Sequence, residues 1–161
     1  MRIVVMGVSG CGKSSFGEAL AARLGLPYYE GDALHSASNV EKMRSGVPLT
    51  DEDRWPWLDR VAATLSMPGV LSCSALKRAY RTRIRDGAGG LVRFVHLAGD
   101  KAVIAERMAA RSGHYMPTSL LDSQFATLEA PGADEAITLD IVKPVDELLD
   151  EAIIALEGMR S

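Results

Sequence analysis

Gly7-Val8-Ser9-Gly10-Cys11-Gly12-Lys13-Ser14 satisfies the spacing G-x-x-x-x-G-K-[ST]. Glycines so placed let consecutive backbone N–H groups curl around phosphate oxygens, and a helix opening directly behind them adds positive potential. A lysine at the seventh position reaches β- and γ-phosphates, and the hydroxyl after it can ligate Mg²⁺. The run Gly7, Val8, Ser9, Gly10, Cys11, Gly12, Lys13, Ser14 and Ser15 is therefore a candidate ATP site, with Lys13 acting on the γ-phosphate and Ser14 on the metal. A plain glycine turn capping a helix has no need of that lysine.

A second chemical signal lies at Glu30-Gly31-Asp32. Ligands of open α/β sheets bind at the carboxyl ends of the strands, so an acidic pair ending the second strand faces the γ-phosphate region. One carboxylate there can orient and deprotonate an acceptor hydroxyl, and the other can hold a Mg²⁺-bound water. Asp32 takes the first role and Glu30 the second. Two solvated turn acids would be the ordinary reading of such a corner, and the adjacent phosphate loop reverses it.

The elements that must position these groups alternate. Ile3–Met6, Leu26–Tyr29, Val70–Cys73, Val92–Leu97 and Ile137–Ile141 read as strands. Ser14–Leu24, Glu52–Ser66, Leu76–Arg85, Lys101–Arg111 and Ser119–Leu128 read as helices, followed by a last one with Val145, Leu148, Leu149, Ala152, Ile153 and Leu156 on one face. Nothing in Glu30–Asn39 looks like the apolar run of an ordinary crossover helix. Alternation of this kind predicts an α/β fold with a parallel sheet covered on both faces.

The 161 residues, 47% of them apolar, suit one compact domain spanning 1–161. A net charge of −3 gives no electrostatic footprint for nucleic acid or an anionic membrane. The apolar start is too short for a membrane span, and Cys11 and Cys73 make no disulfide framework. A soluble cytoplasmic protein is expected.

A phosphate loop specifies a nucleotide and leaves the function open. A GTPase switch needs an N-K-x-D motif, which the chain lacks. An ATP-driven motor needs an aspartate ending a neighbouring strand, but Val70–Cys73 runs into Cys-Ser, and Thr138–Asp140 lies on the last strand. A kinase needs an acceptor site and a lid that excludes water, and the remaining chain has room for both.

Several longer motifs sharpen this. M-G-V-S-G-C-G-K-S, G-D-x-L-H with Asn39, E-K-M-R-S-G-V-P-L-T-D-E-D-R-W-P-W-L, C-S-A-L-K-R-A-Y-R, L-A-G-D, and G-H-Y-M followed by S-Q-F-A-T-L-E closely resemble gluconate kinase. That family is similar to shikimate and nucleoside monophosphate kinases. The resemblance implies a P-loop NTPase fold with a five-stranded parallel sheet of order 2-3-1-4-5, helices on both faces, a small lid at about 112–118 and an acceptor segment at about 30–58. It also implies a homodimer, and transfer from ATP with Mg²⁺ to the 6-hydroxyl of D-gluconate. Another small-molecule kinase, of shikimate or a different sugar acid, is the alternative, and a non-kinase ATPase or GTPase switch stands behind it. Ser36 stands where the family often has proline, so a looser turn is expected there, and Glu30 stands where aspartate is common.

Site residues follow from motif and chemistry together. His35 and Asn39 suit a polyol, which needs paired donors and acceptors, although a capping histidine fits as well. Arg54 can clamp the gluconate carboxylate with its planar fork, with Lys77 as the rival. Lys77 and Arg81, at a helix start that looks anion-friendly, face either the acceptor or solvent. Arg107 and Arg111, one turn apart, close over the phosphates in this kinase group, and His114 of the lid touches substrate. Trp55 and Trp57 read as packing residues.

Overall fold

A computed structural model describes residues 1–110 and 118–159. Five parallel strands form one sheet: β1 (Arg2–Met6), β2 (Tyr28–Glu30), β3 (Gly69–Ser72), β4 (Val92–Ala98) and β5 (Ala136–Asp140), ordered β2-β3-β1-β4-β5. The order matches the sequence expectation. Within β1 the side chains alternate between two cores. Ile3 and Val5 join α1 (Lys13–Leu24) and the last helix (Val145–Gly158) through Phe16, Leu20, Leu149 and Ala152. Val4 and Met6 point the other way, onto the two helices that flank β3 in sequence, Asp51–Thr64 and Arg78–Ala88, through Leu58, Val61, Tyr80 and Ile84. Period-2 alternation in a strand apolar on both faces is what a sheet buried on both sides requires. No helix among the described residues is long and apolar enough to cross a membrane.

One helix escaped the sequence reading. After β2 the chain makes a 3-10 turn (Gly31–Leu34) and then α2 (Ala37–Arg44), before α3 (Asp51–Thr64). Only Asn39 of α2 is buried, so no apolar stripe announces it. Its start is set by Ser36, whose Oγ accepts from the Asn39 amide at 3.1 Å. Serine in place of proline thus makes an N-cap instead of the looser turn expected. Thr50 and Asp53 cap α3 reciprocally, at 3.2 and 2.9 Å. The later helices are α4 (Arg78–Ala88), α5 (Lys101–Ala110), α6 (Thr118–Thr127) and α7 (Val145–Gly158).

The turn after β2 presses on β3 so closely that a Cβ at Gly31 would stand 2.2 Å from the Ser72 carbonyl oxygen. Gly31→Ala should therefore cost about 1–3 kcal/mol, the usual range for overpacking. Gly158→Ala, where a Cβ meets open space, is the control for urea denaturation. Equal stability of the two variants would show that the turn can move away from the sheet.

Candidate active site

Where β1 ends, the chain folds into the glycine loop. Gly7 has φ 149°, and a Cβ there would meet Cys11 Sγ at 2.8 Å and the Leu97 carbonyl oxygen at 2.9 Å, so only glycine closes this turn. Gly12 caps α1 and has no side chain to offer its amides, which leaves the helix N-terminus suited to phosphate. Lys13 bends back across the loop, its Nζ donating to the Val8 carbonyl at 3.1 Å.

The acidic corner packs against this loop as its position at the strand end requires. Ser14 Oγ donates to Glu30 Oε2 at 2.5 Å. The Tyr28 hydroxyl lies 2.9 Å from both Glu30 Oε2 and Ser72 Oγ. Ser72 Oγ in turn donates to the Lys13 carbonyl at 3.0 Å. Strands β2 and β3 are thereby tied to the first turn of α1, and the two expected metal-site residues, Ser14 and Glu30, touch. A hydroxyl beside a carboxylate is a hard-oxygen pair of the kind that would suit Mg²⁺.

Asp32 rides on the 3-10 turn, which α3 grips twice. Trp57 Nε1 donates to the Gly31 carbonyl at 2.8 Å and Arg60 Nε to the Leu34 carbonyl at 2.7 Å. Surrounding protein desolvates the Asp32 carboxyl and pushes its pKa above the usual carboxylate range. Lys13 pulls it down and Glu30 adds to the rise. Its side chain stays open to the cleft, so water on that side tempers the desolvation. A carboxylate made more basic in this way is a better proton acceptor.

Beside Asp32 lies a cavity of about 320 Å³. Ser9, Lys13, Asp32, His35, Arg54 and Trp57 are among the residues that line it. Arg54 Nη1 donates to the Leu49 carbonyl at 2.7 Å and to the Tyr80 hydroxyl at 3.0 Å, which leaves other guanidinium donors for a ligand. Tyr80 donates to Asp51. Burial, and then Asp51, push its phenol up to about 12, so it stays protonated. His35 stacks on Trp57 with ring centroids 4.0 Å apart. A carboxylate made more basic, the lysine of the phosphate loop and an arginine with donors to spare around one cavity form a site suited to a small hydroxylated anion.

Comparison with known proteins agrees with this geometry. A family model described as "AAA domain" matches residues 3–131. The gluconokinase of Gluconobacter oxydans (strain 621H) is 49% identical over 158 residues, covering 94% of this chain and 88% of that protein. The thermosensitive gluconokinase of Escherichia coli (strain K12) is 43% identical, covering 98% and 89%. The crystal structure of a gluconokinase from Sinorhizobium meliloti 1021 superposes with a TM-score of 0.92 at 51% identity, covering 98% and 92%. The chain belongs to the gluconokinase family.

In this gluconokinase relative several expected residues sit elsewhere than the acceptor cavity. Arg81 does not line that cavity. It is 1% exposed, with Nε 2.9 Å from Glu135 Oε2 in a contact bent away from hydrogen-bond geometry. Its other nitrogens donate to the carbonyls of Ala75, Leu76 and Glu129 at 2.8, 3.2 and 2.8 Å. Burial pushes the Glu135 carboxyl up, and Arg81 and Arg85 more than offset that, so it lies below its usual range. The anion-friendly start of α4 is already filled: the Arg78 amide donates to Glu129 Oε1 at 2.8 Å. Lys77 pairs with Asp51 at 3.1 Å and does not line the cavity.

Asn39, 4% exposed, sits behind His35 instead of on the cavity wall. Arg107 donates to the Ile141 carbonyl and lines a second cavity of about 410 Å³ with Cys11, Gly12 and Ser15. It braces the loop after β5 on the outer side of the phosphate loop and does not line the acceptor cavity. Asp140 accepts from the Val142 amide at 3.1 Å, an ordinary turn contact. Arg111, His114 and the expected lid at about 112–118 lie outside the described residues, Thr118 at the start of α6 excepted.

Gln124 also reaches the phosphate loop. Its Oε1 accepts from the Ser9 amide at 2.7 Å and its Nε2 donates to Ser9 Oγ at 3.0 Å, pinning α6 to the phosphate loop. Only the S-Q-F-A-T-L-E motif pointed to it.

Arg81→Met should lower stability to urea by about 3–5 kcal/mol, because Glu135 is left buried without its main partner. Unchanged stability with a raised KM for the acceptor would return Arg81 to the substrate site.

Proposed function

We propose that the protein transfers the γ-phosphoryl group of ATP to the 6-hydroxyl of D-gluconate, giving ADP and 6-phospho-D-gluconate. The observation that carries this is one cavity lined by Lys13, Asp32, His35 and Arg54 together. The family membership supports the acceptor. The resemblance brings a cytoplasmic homodimer into the same proposal.

Asp32 accepts a hydrogen bond from the 6-hydroxyl and takes its proton as the oxygen attacks the γ-phosphorus. Lys13 swings from the Val8 carbonyl to the β- and γ-phosphate oxygens and stabilises the charge that grows there. Ser14 and Glu30 are the residues that would hold Mg²⁺, which supplies charge neutralisation between the β- and γ-phosphates. Arg54 holds the carboxylate of gluconate at the far end, so the linear acid lies with its sixth carbon toward Asp32. The fixed separation of clamp and base selects acceptor length.

ADP release should be measured with D-gluconate, other aldonates, shikimate and nucleoside monophosphates. Gluconate should give the highest kcat/KM, and preference for shikimate or a nucleotide would overturn the assignment. Asp32→Asn should reduce kcat by about 10²–10⁴-fold, the range for a lost general base. Unchanged kcat and gluconate KM would remove Asp32 from the site.

Arg54→Lys should lower kcat/KM for gluconate by roughly 10–100-fold, the loss of a bidentate charged contact, while the KM for ATP stays put. Gluconamide should be a poor substrate that loses little further in this variant. Equal losses with both acceptors would make Arg54 a structural or phosphate-facing residue.

A further inference from the structure

Asn39 is nearly inaccessible and far from the phosphate loop in function, yet its amide nitrogen is fully committed. Nδ2 lies 2.9 Å from the Asp53 carbonyl oxygen and 3.2 Å from His35 Nδ1. A carbonyl oxygen only accepts, so the atom facing Asp53 has to be the amide nitrogen; turned over, the amide would set oxygen against oxygen. The same nitrogen then spends its second proton on His35. Nδ1 of the ring must accept, and the ring proton must sit on Nε2.

The rest of the ring is fixed as well. One face stacks on Trp57, at an interplanar angle of 18°. Trp57 is itself 1% exposed and bonded to the Gly31 carbonyl at 2.8 Å. Lys42 pairs with Asp53 at 2.9 Å and holds α2 against the start of α3, so the Asn39 anchor does not drift. Of the polar atoms of His35, only Nε2 remains for the cavity that the residue lines.

We propose that Asn39 is a positioning residue that locks His35 as its neutral Nε2–H tautomer, making the ring a single-proton donor to a hydroxyl oxygen of the acceptor. The proposal rests on reading the cavity as the acceptor site. Burial, then the cations Arg54 and Arg60, lower the His35 pKa to about 4, so the ring stays uncharged in neutral solution. An uncharged donor at this point complements a hydroxyl and leaves the acceptor's carboxylate to Arg54. A ring donor left unpaired by an acceptor lacking that hydroxyl would penalise the wrong acceptor, which is how polar sites discriminate most sharply.

Long-range ¹H–¹⁵N correlation spectra of the ¹⁵N-labelled protein, with His35→Gln for assignment, read the tautomer directly. His35 should show a protonated Nε2 and a bare Nδ1 from pH 8 down to about 5. A protonated Nδ1, or titration near the ordinary value of 6.5, would overturn the proposal. Asn39→Asp puts an acceptor opposite Nδ1 and should move the proton there, with roughly a 10-fold or greater fall in kcat/KM for D-gluconate and no change in KM for ATP. An Asn39→Asp protein that keeps the wild-type tautomer and kinetics would also refute it.

If that variant does not fold, His35→Gln and His35→Leu decide. Glutamine can set an amide N–H near the Nε2 position and should retain roughly 10-fold more gluconate kcat/KM than leucine. Equal losses would overturn the donor role. Failure of the wild type to use gluconate would count against the acceptor assignment alone, because the tautomer is measured without any acceptor.

Discussion

The close approach of Gly31 to the Ser72 carbonyl sets the distance on which the site depends. Without a side chain at position 31, the acidic turn lies directly on the end of β3, and Glu30 comes within reach of Ser14. Any bulk there would lift Glu30 and Asp32 away from the phosphate loop together. The parallel sheet brings three strand ends to one edge, and the contact at Gly31 decides how tightly they converge. Trp57 and Arg60 then hold the turn down from α3, so the same helix that presents Arg54 also positions Asp32.

Charge is distributed over this frame with a consistent logic. Asp32 is made more basic by desolvation, and the charge of Lys13 opposes that rise. His35 is kept neutral by burial and by neighbouring arginines. Arg54 is shared between a backbone carbonyl and a phenol that burial keeps protonated, so it keeps its charge free of a carboxylate partner in the cavity. Lys13 and Arg54 line the cavity, whereas Lys42 and Lys77 are matched to Asp53 and Asp51.

Arg81 and Glu129 are structural counterparts to this site. The loop after β3 carries Ala75 at φ 46°, a strained conformation for a residue with a side chain. Arg81 holds the carbonyls of Ala75 and Leu76 from below, and Glu129 supplies the anion that the α4 N-terminus attracts. A basic helix start that looks open to ligands in sequence is thus closed by a residue some fifty positions later.

The sequence by itself determined the α/β alternation, the strand order through its family resemblance, the phosphate loop, and the pairing of Glu30 with Asp32. These are local patterns: apolar period, glycine spacing and acids at a strand end mean the same thing wherever they occur. The helix at Ala37–Arg44 was not legible because a single buried residue leaves no period to read. Asn39 and Arg81 looked like ligands because chain position cannot say whether a polar side chain faces a cavity or the back of its neighbour. Only the tertiary structure decided that Arg54 faces the acceptor cavity while Arg81 is buried against Glu135. The reason is physical: a charge goes to whichever opposite charge or carbonyl the packed chain brings within about 3 Å, and that partner is chosen by contacts remote in sequence.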